Sequence, residues 1–273
     1  MTTVEAIDLT VSKFPFKEYM TSRSRPRKAY SNIAKTVVRY LKPGNKILDF
    51  GSGPCDNTAI LQLLGFECTA YDDLQDDWHL IPGNQEKIIS FARESGVHFK
   101  LAIDHTLPFE KNFFDMVMLN SVIEHLHDSP RELINSLLEF VKPGGLLFIT
   151  VPNAVNIRKR IDVLSGRTNM TNYEEYYWYP DPWRGHIREY VKDDLSKLAK
   201  YLNLDILELR GCDHMLENRL SNLAQPLFLF VTSIFRGWKD SWLLVARKRE
   251  NWRAVRTLPQ EELFRIFPNT KRH

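Results

Sequence analysis

Cysteine is scarce in this chain. Cys55, Cys68 and Cys212 are the three it has, and no two of them form a CxxC pair. Such a dispersed, odd set argues against a disulfide scaffold and predicts reduced thiols in a cytoplasmic protein. Long apolar runs are lacking as well, since no segment reaches the roughly 18 residues of a membrane-spanning helix. Residues 1–5 carry no basic stretch leading into an apolar one, so no signal peptide is expected. Neither sign of charge dominates: 37 basic against 34 acidic side chains leave a formal net charge of +3. That balance disfavours a dedicated nucleic-acid binder, which carries a broad basic footprint. At 273 residues and 43% apolar composition, the chain is large enough for one well-buried globular domain spanning 1–273.

What the chain does have is a rhythm. From Lys46 to Val151, short β-like runs alternate with helical patterns, as in βαβ units of a parallel sheet. The runs predict strands at Lys46–Phe50, Glu67–Asp72, His98–Leu101, Phe114–Leu119 and Leu146–Val151. Ser129-Pro130-Arg131-Glu132 marks a helix start, with a capping hydroxyl, Pro at the first helical position and an acid three residues on. Lys142-Pro143-Gly144-Gly145 is expected to end that helix. Val191, Leu195, Leu198 and Leu202 recur at helical spacing, and the runs Asp205–Leu209 and Ser241–Ala246 read as further strands. A helical segment is expected within 1–45. Two stretches break the rhythm. Residues 154–185 are rich in aromatics and suit a lid or pocket wall. Residues 213–239 hold the apolar run Pro226–Val231, which would pack on its own domain, form a homodimer contact or touch a membrane through 223–235. The charged tail, 250–273, is expected to be a partly mobile arm.

The sharpest chemical signal is Ile47-Leu48-Asp49-Phe50-Gly51-Ser52-Gly53, a strand running into a glycine turn and then into the helical stretch Asn57–Leu64. Glycines let the backbone approach a ligand, and the following helix offers free N–H groups. Nicotinamide and flavin enzymes use G-x-G-x-x-G at the same place. Here Asp56 stands at the third glycine position and Asp49 just before the loop. Two acids disfavour an anionic pyrophosphate and suit a ligand bearing an ammonium and a sulfonium. Asp72, at the end of the second predicted strand and followed by Asp73, could accept hydrogen bonds from both hydroxyls of a ribose.

In this order the motifs resemble those of class I S-adenosylmethionine-dependent methyltransferases, of the small-molecule and glycan-pathway type that is similar to quinone-biosynthesis O-methyltransferases. The resemblance runs over residues 27–209 and resumes at 240–248. It implies an α/β, Rossmann-like three-layer sandwich whose seven-stranded, mostly parallel sheet has an antiparallel last strand, with cap insertions. It also implies S-adenosylmethionine as cofactor, with Asp49, Gly51, Ser52 and Gly53 at the methionine part, Asp72 and Asp73 at the ribose, and Asp104 and Asn120 completing the site. The family's adenine-contacting Asp usually lies four residues before the Leu-Pro-Phe run. That position is Ile103 here, and Asp104 is one residue displaced.

Methyl transfer from a sulfonium is an in-line displacement, and a hydroxyl acceptor must also lose its proton. His125, after the fourth strand, and His186, in Gly185-His186-Ile187-Arg188-Glu189-Tyr190, are the candidate bases. Metal-assisted relatives carry Glu-x-x-Glu-His at this point. Ser121 replaces the first Glu, so no metal requirement is expected. Nucleic acid is a disfavoured acceptor, because Asn120-Ser121-Val122-Ile123 lacks the Pro-Pro-aromatic loop of base amino-methylating enzymes and no cysteine sits where C5 methylation needs one. Small or glycan-type hydroxylated acceptors remain, with phenolic, quinone-like or lipid acceptors as alternatives. A non-catalytic cofactor-binding subunit and a nicotinamide-dependent oxidoreductase are the readings from other classes.

Overall fold

The computed structural model describes residues 1–16, 27–103, 106–213 and 224–267. Its centre is one seven-stranded sheet in the order β3-β2-β1-β4-β5-β7-β6. The strands are β1 (Lys46–Phe50), β2 (Glu67–Asp72), β3 (His98–Leu101), β4 (Phe114–Asn120), β5 (Val141–Pro152), β6 (Leu204–Cys212) and β7 (Ser241–Lys248). Pairing is parallel from β3 through β5, and β7 runs antiparallel to both β5 and β6. The sandwich expected from the sequence is therefore present, antiparallel strand included.

Alternation along the strands builds two cores. Ile47, Met116, Phe148 and Val245 point to one face, while their neighbours Leu48, Val117, Leu147 and Leu244 point to the other, as the period of two requires. The first face is covered by α1 (Thr3–Lys13), α2 (Arg27–Tyr40), α3 (Asp56–Leu63) and α4 (Asn84–Glu94), through residues such as Ile7, Ile33, Ala59 and Phe91. The second is covered by α5 (Pro130–Phe140) and, beyond the helices α6 (Ile157–Leu164) and α7 (Tyr173–Trp178), by α8 (Lys192–Tyr201), through Ile134, Leu137, Leu195 and Ala199.

Local chemistry explains the boundaries. Ser129 Oγ accepts from Arg131 N and Pro130 opens α5, as read from the sequence. The helix ends at Phe140, earlier than Lys142-Pro143-Gly144-Gly145, and that stretch belongs to β5. Lys248, at the end of β7, donates to the carbonyls of Leu138 and Val141 at 2.8 and 2.6 Å, so a buried cation satisfies the open end of α5.

Two segments at the chain's periphery have defined contacts. The part of the tail at 252–256 is strapped to the body: Trp252 Nε1 donates to Leu202 O, Val255 N to Asn135 Oδ1, and Arg256 bonds Glu132, Ser136 and Glu139. The insertion at 213–239 contributes α9 (Ala224–Ile234), which buries Phe228 and Thr232 but leaves Leu227, Phe230 and Ile234 exposed.

Candidate active site

A cavity of about 1520 Å³ opens at the C-terminal ends of β1, β2, β4 and β5. This is the edge where open α/β sheets bind ligands, at the point where strand order reverses between β1 and β4. One end is walled by the glycine loop and by Asp56, Asp72, Asp73 and Asn120. The other end is walled by His125, Trp183, His186 and Glu189, together with the basic side chains of Arg158, Lys159 and Arg184.

The glycine loop is tied down from both sides. Gly51 N donates to Tyr71 O at 2.8 Å, and Gly53 N donates to Asp72 Oδ2 at 2.8 Å. Gly51 has φ +71°, and a Cβ there would lie 2.6 Å from Val122 Cγ2. Glycine is therefore required by conformation and by space alike. Gly53, at φ +53°, faces open space. Asp72 Oδ1 also accepts from Leu74 N at 2.7 Å, and burial raises the Asp72 pKa in spite of the two N–H bonds. Ser52 lines the cavity beside the glycines.

Asp49 is absent from the cavity wall. Its side chain is buried below the loop, where Oδ2 accepts from Thr58 Oγ1 at 2.5 Å and Oδ1 has no partner. Burial pushes its pKa up to about 7. The residue thus joins the loop to α3 from beneath. Asp56, read from the sequence as opposing a pyrophosphate and suiting a cationic ligand, lines the cavity, with Oδ2 accepting from the Tyr30 hydroxyl at 2.6 Å. Asn120 Oδ1 accepts from Thr150 Oγ1 at the end of β4. Asp104 lies outside the described residues. Asp73 is engaged by the lid, since Arg184 reaches it at 3.2 Å and also bonds Asp76 at 2.7 Å.

That lid contact is one of several that the sequence did not reveal. The segment 183–190 is laced onto 123–127. His125 Nδ1 donates to Arg184 O, His127 Nε2 to Trp183 O, and the amides of Ile187 and Arg188 to Glu124 O. A carbonyl can only accept, so the bond to Arg184 O fixes the neutral His125 tautomer with an open Nε2. Burial lowers the His125 pKa, which keeps the ring neutral near pH 7. Of the aromatics in 154–185, Trp183 lines the cavity, whereas Tyr173, Tyr176, Tyr177 and Trp178 are exposed.

His186 has a better-defined partner. Its Nδ1 lies 2.9 Å from Glu189 Oε1, and Glu189 also binds the buried Lys159 ammonium. Burial raises the Glu189 pKa, but the bonds from His186 and Lys159 outweigh it and hold the group below its ordinary value. An ionised Glu189 only accepts, so Nδ1 carries the proton and Nε2 is left as the free lone pair of neutral His186. Glu189 and Lys159 are the functional candidates that sequence reading missed; the three-residue spacing from His186 to Glu189 was the available signal.

Glu124 is fully buried, neither carboxyl oxygen has a hydrogen-bond partner, and burial pushes its pKa up to about 8. With His125 and His186 it brings three ligand atoms within 4.8 Å of one another. The expectation of no metal requirement considered Glu124 and His125 across the missing carboxylate at Ser121. The fold adds His186, and a carboxylate with two imidazoles is a donor set that a divalent cation can use.

The ends of the cavity differ in charge. Near the glycine loop carboxylates predominate, Asp56, Asp72 and Asp73 against His79 and the Arg184 that pairs with Asp73, a surrounding that fits an ammonium or sulfonium and opposes a pyrophosphate. The residues present therefore fit S-adenosylmethionine.

Comparison with known proteins agrees with this geometry. Residues 21–209 match the family described as methyltransferase domain. A demethylmenaquinone methyltransferase of Corynebacterium glutamicum is 28% identical over 142 residues, covering 52% of this chain and 53% of that one. A ubiquinone biosynthesis O-methyltransferase of Rickettsia prowazekii is 25% identical over 170 residues, covering 61% of each. The chain spans about half the length of the curated relatives it matches. Among solved structures, a SAM-dependent methyltransferase from Thermotoga maritima superimposes with a TM-score of 0.55 at 15% identity, covering 91% of this chain and all of that one, which is a likeness of fold.

Proposed function

The chain belongs to the methyltransferase-domain family, and we propose that it methylates a ring hydroxyl of a small acceptor, with S-adenosylmethionine as donor and His186 as proton acceptor. The donor supplies a methyl group on a sulfonium, which leaves by in-line displacement. The chain's residues do the rest. Asp72 accepts from the ribose hydroxyls, and Gly51 and Gly53 let the backbone lie close to the donor. The carboxylates at this end of the cavity stabilise the donor's positive charge. Nε2 of His186 takes the acceptor proton, and Glu189 holds the ring in the tautomer that exposes this lone pair and stabilises the imidazolium that forms.

The observation that carries this reading is the Lys159–Glu189–His186 chain at the cavity wall. Lys159 keeps Glu189 ionised, and an ionised Glu189 gives His186 its direction. A phenolic or quinol-type ring is the first acceptor class, supported by the quinone-pathway names of the two relatives. A second reading is a sugar bearing a phosphate or nucleotide, favoured by Arg158 and Arg184 beside the histidines.

The test is turnover with isotopically labelled S-adenosylmethionine against catechols, quinols and nucleotide sugars, using wild type, His186→Ala and Glu189→Gln. A rate loss of about 10²–10⁴ in His186→Ala is expected, with a smaller loss in Glu189→Gln and donor affinity unchanged in both. Retained turnover in His186→Ala removes the assigned base. Activity that a chelator abolishes and a divalent ion restores assigns Glu124, His125 and His186 to a cation instead.

A further inference from the structure

Beside the active-site cavity lies an apolar surface that the methyl-transfer reading does not use. In α9, Leu227, Phe230 and Ile234 recur on the side opposite the buried Phe228 and Thr232, and are 66%, 64% and 58% exposed. Phe235 extends this row, also half exposed, and stacks on Trp238 at a centroid distance of 4.5 Å. The helix Ala224–Ile234 contains no charged residue. A water-facing helix normally carries polar side chains on its outer face, and here that face carries Leu227, Phe230 and Ile234, with Ser233 the exposed polar residue among the described side chains.

The rim of this surface is basic. The Arg160 guanidinium lies over the Trp238 ring at 5.7 Å, which joins α6 to the end of the α9 region. In α6 itself Ile161, Val163 and Leu164 are exposed, Leu164 at 88%. Across 157–167 and 224–239 the cations are Arg158, Lys159, Arg160, Arg167, Arg236 and Lys239, against the single acid Asp162. Lys159 and Lys239 are committed to Glu189 and Asp213; Arg158 and Arg167 share Asp162 but stay exposed, and Arg160 and Arg236 are exposed as well. The whole chain has a formal charge of only +3, so this face is markedly more basic than the remainder.

We infer that α9 and the exposed end of α6 form a docking face for an anionic lipid surface. An uncharged apolar helix with arginines along its border is the composition that lies in the interface plane, apolar side down, with the cations at the headgroups. At eleven residues the helix is too short to cross a bilayer, and none of the described helices is long and apolar enough to do so. Continuity with the site gives the face its purpose. Arg158 and Lys159 of α6, and Asp240 and Ser241 just after the α9 region, also line the cavity. A docked molecule therefore turns its cavity rim toward the bilayer. Combined with the methyl-transfer reading, on which this clause rests, the acceptor is a hydroxylated head group on an apolar tail that stays in the membrane.

The experiment is co-sedimentation of the full chain with vesicles of phosphatidylcholine alone and of phosphatidylcholine containing phosphatidylglycerol. The double variant Phe230→Glu/Ile234→Glu and the charge variant Arg160→Glu/Arg236→Glu are run alongside. Binding to anionic vesicles, lowered about tenfold or more in each variant and weakened by salt, is the expected result. No binding to either vesicle, or binding that both variants retain, overturns the proposal. So does a wild-type dimer in light scattering that the apolar variant converts to monomer without any vesicle binding by wild type, because the occupant is then a second copy of the chain. Titration of the variants with S-adenosylmethionine separates the two claims. Full donor binding with lost vesicle binding isolates the docking face, whereas loss of both marks a misfolded variant, and the milder Phe230→Ser/Ile234→Ser then replaces it in the same assay.

Discussion

The two ends of the active-site cavity are built in different ways. The donor end is made by neighbours in sequence: β1, the turn Gly51-Ser52-Gly53 and α3 follow one another, and the contact across to β2 is the short step to Asp72. The acceptor end is made by partners far apart. His125 meets Arg184, Glu124 meets Ile187 and Arg188, and Asp73 and Asp76 meet Arg184, across 59 to 111 positions of sequence. The first end expresses a local backbone requirement, and the second depends on how an insertion is clasped. A methyl-donor pocket can thus stay constant while the clasp is rebuilt for another acceptor.

Substitutions can break this comparison, and the largest effect on binding belongs to the donor end. Gly51→Ala forces a side chain into the left-handed region and 2.6 Å from Val122. It should weaken S-adenosylmethionine binding by about tenfold or more, read by calorimetry, and lower Tm. Arg184→Ala loosens the clasp by removing the bonds to Asp73 and Asp76, both partly exposed. A rise in acceptor KM of about threefold to tenfold is expected, with a smaller change in donor affinity. Equal losses for donor and acceptor would show that the two ends do not work separately.

The smallest effect is one of stability. Glu124 is neutral in the fold up to about pH 8, whereas in the unfolded chain it ionises near the ordinary glutamate value of 4.5. The unfolded state therefore binds fewer protons between these values. Wild type loses stability through this window as pH rises, and the loss levels off above pH 8. Glu124→Gln removes the linkage. The Tm difference, variant minus wild type, should increase from pH 4 to pH 8 by on the order of 5 °C in melts monitored by circular dichroism.

The same contrast explains what could be read in advance. Three strands, Lys46–Phe50, Glu67–Asp72 and His98–Leu101, have the predicted bounds because each is a short apolar run closed by turn residues. The glycine turn and the start of α5 were equally legible, being local chemistry. Asp49 was misplaced, because sequence order does not tell whether a loop acid faces the ligand or the helix beneath, and Thr58 takes it downward. Glu189 and Lys159 went unnoticed because a charged pair in an insertion looks like any solvated face until the fold buries it. His186 was named, but its partner Glu189 and its nearness to Glu124 emerge only when 183–190 folds back onto 123–127. The contacts of 252–256 were not legible, because its arginines are surface-like in composition, yet Arg256 has two acids of α5 to reach.

The central claim is that the acid-lined end of the cavity takes S-adenosylmethionine. Calorimetric titration of the protein with S-adenosylmethionine and separately with NAD, in wild type and Asp72→Ala, tests it most directly. Saturable binding of S-adenosylmethionine alone, weakened by about tenfold or more in Asp72→Ala, is the predicted result. Binding of NAD in its place, or donor binding that Asp72→Ala leaves untouched, would contradict the account.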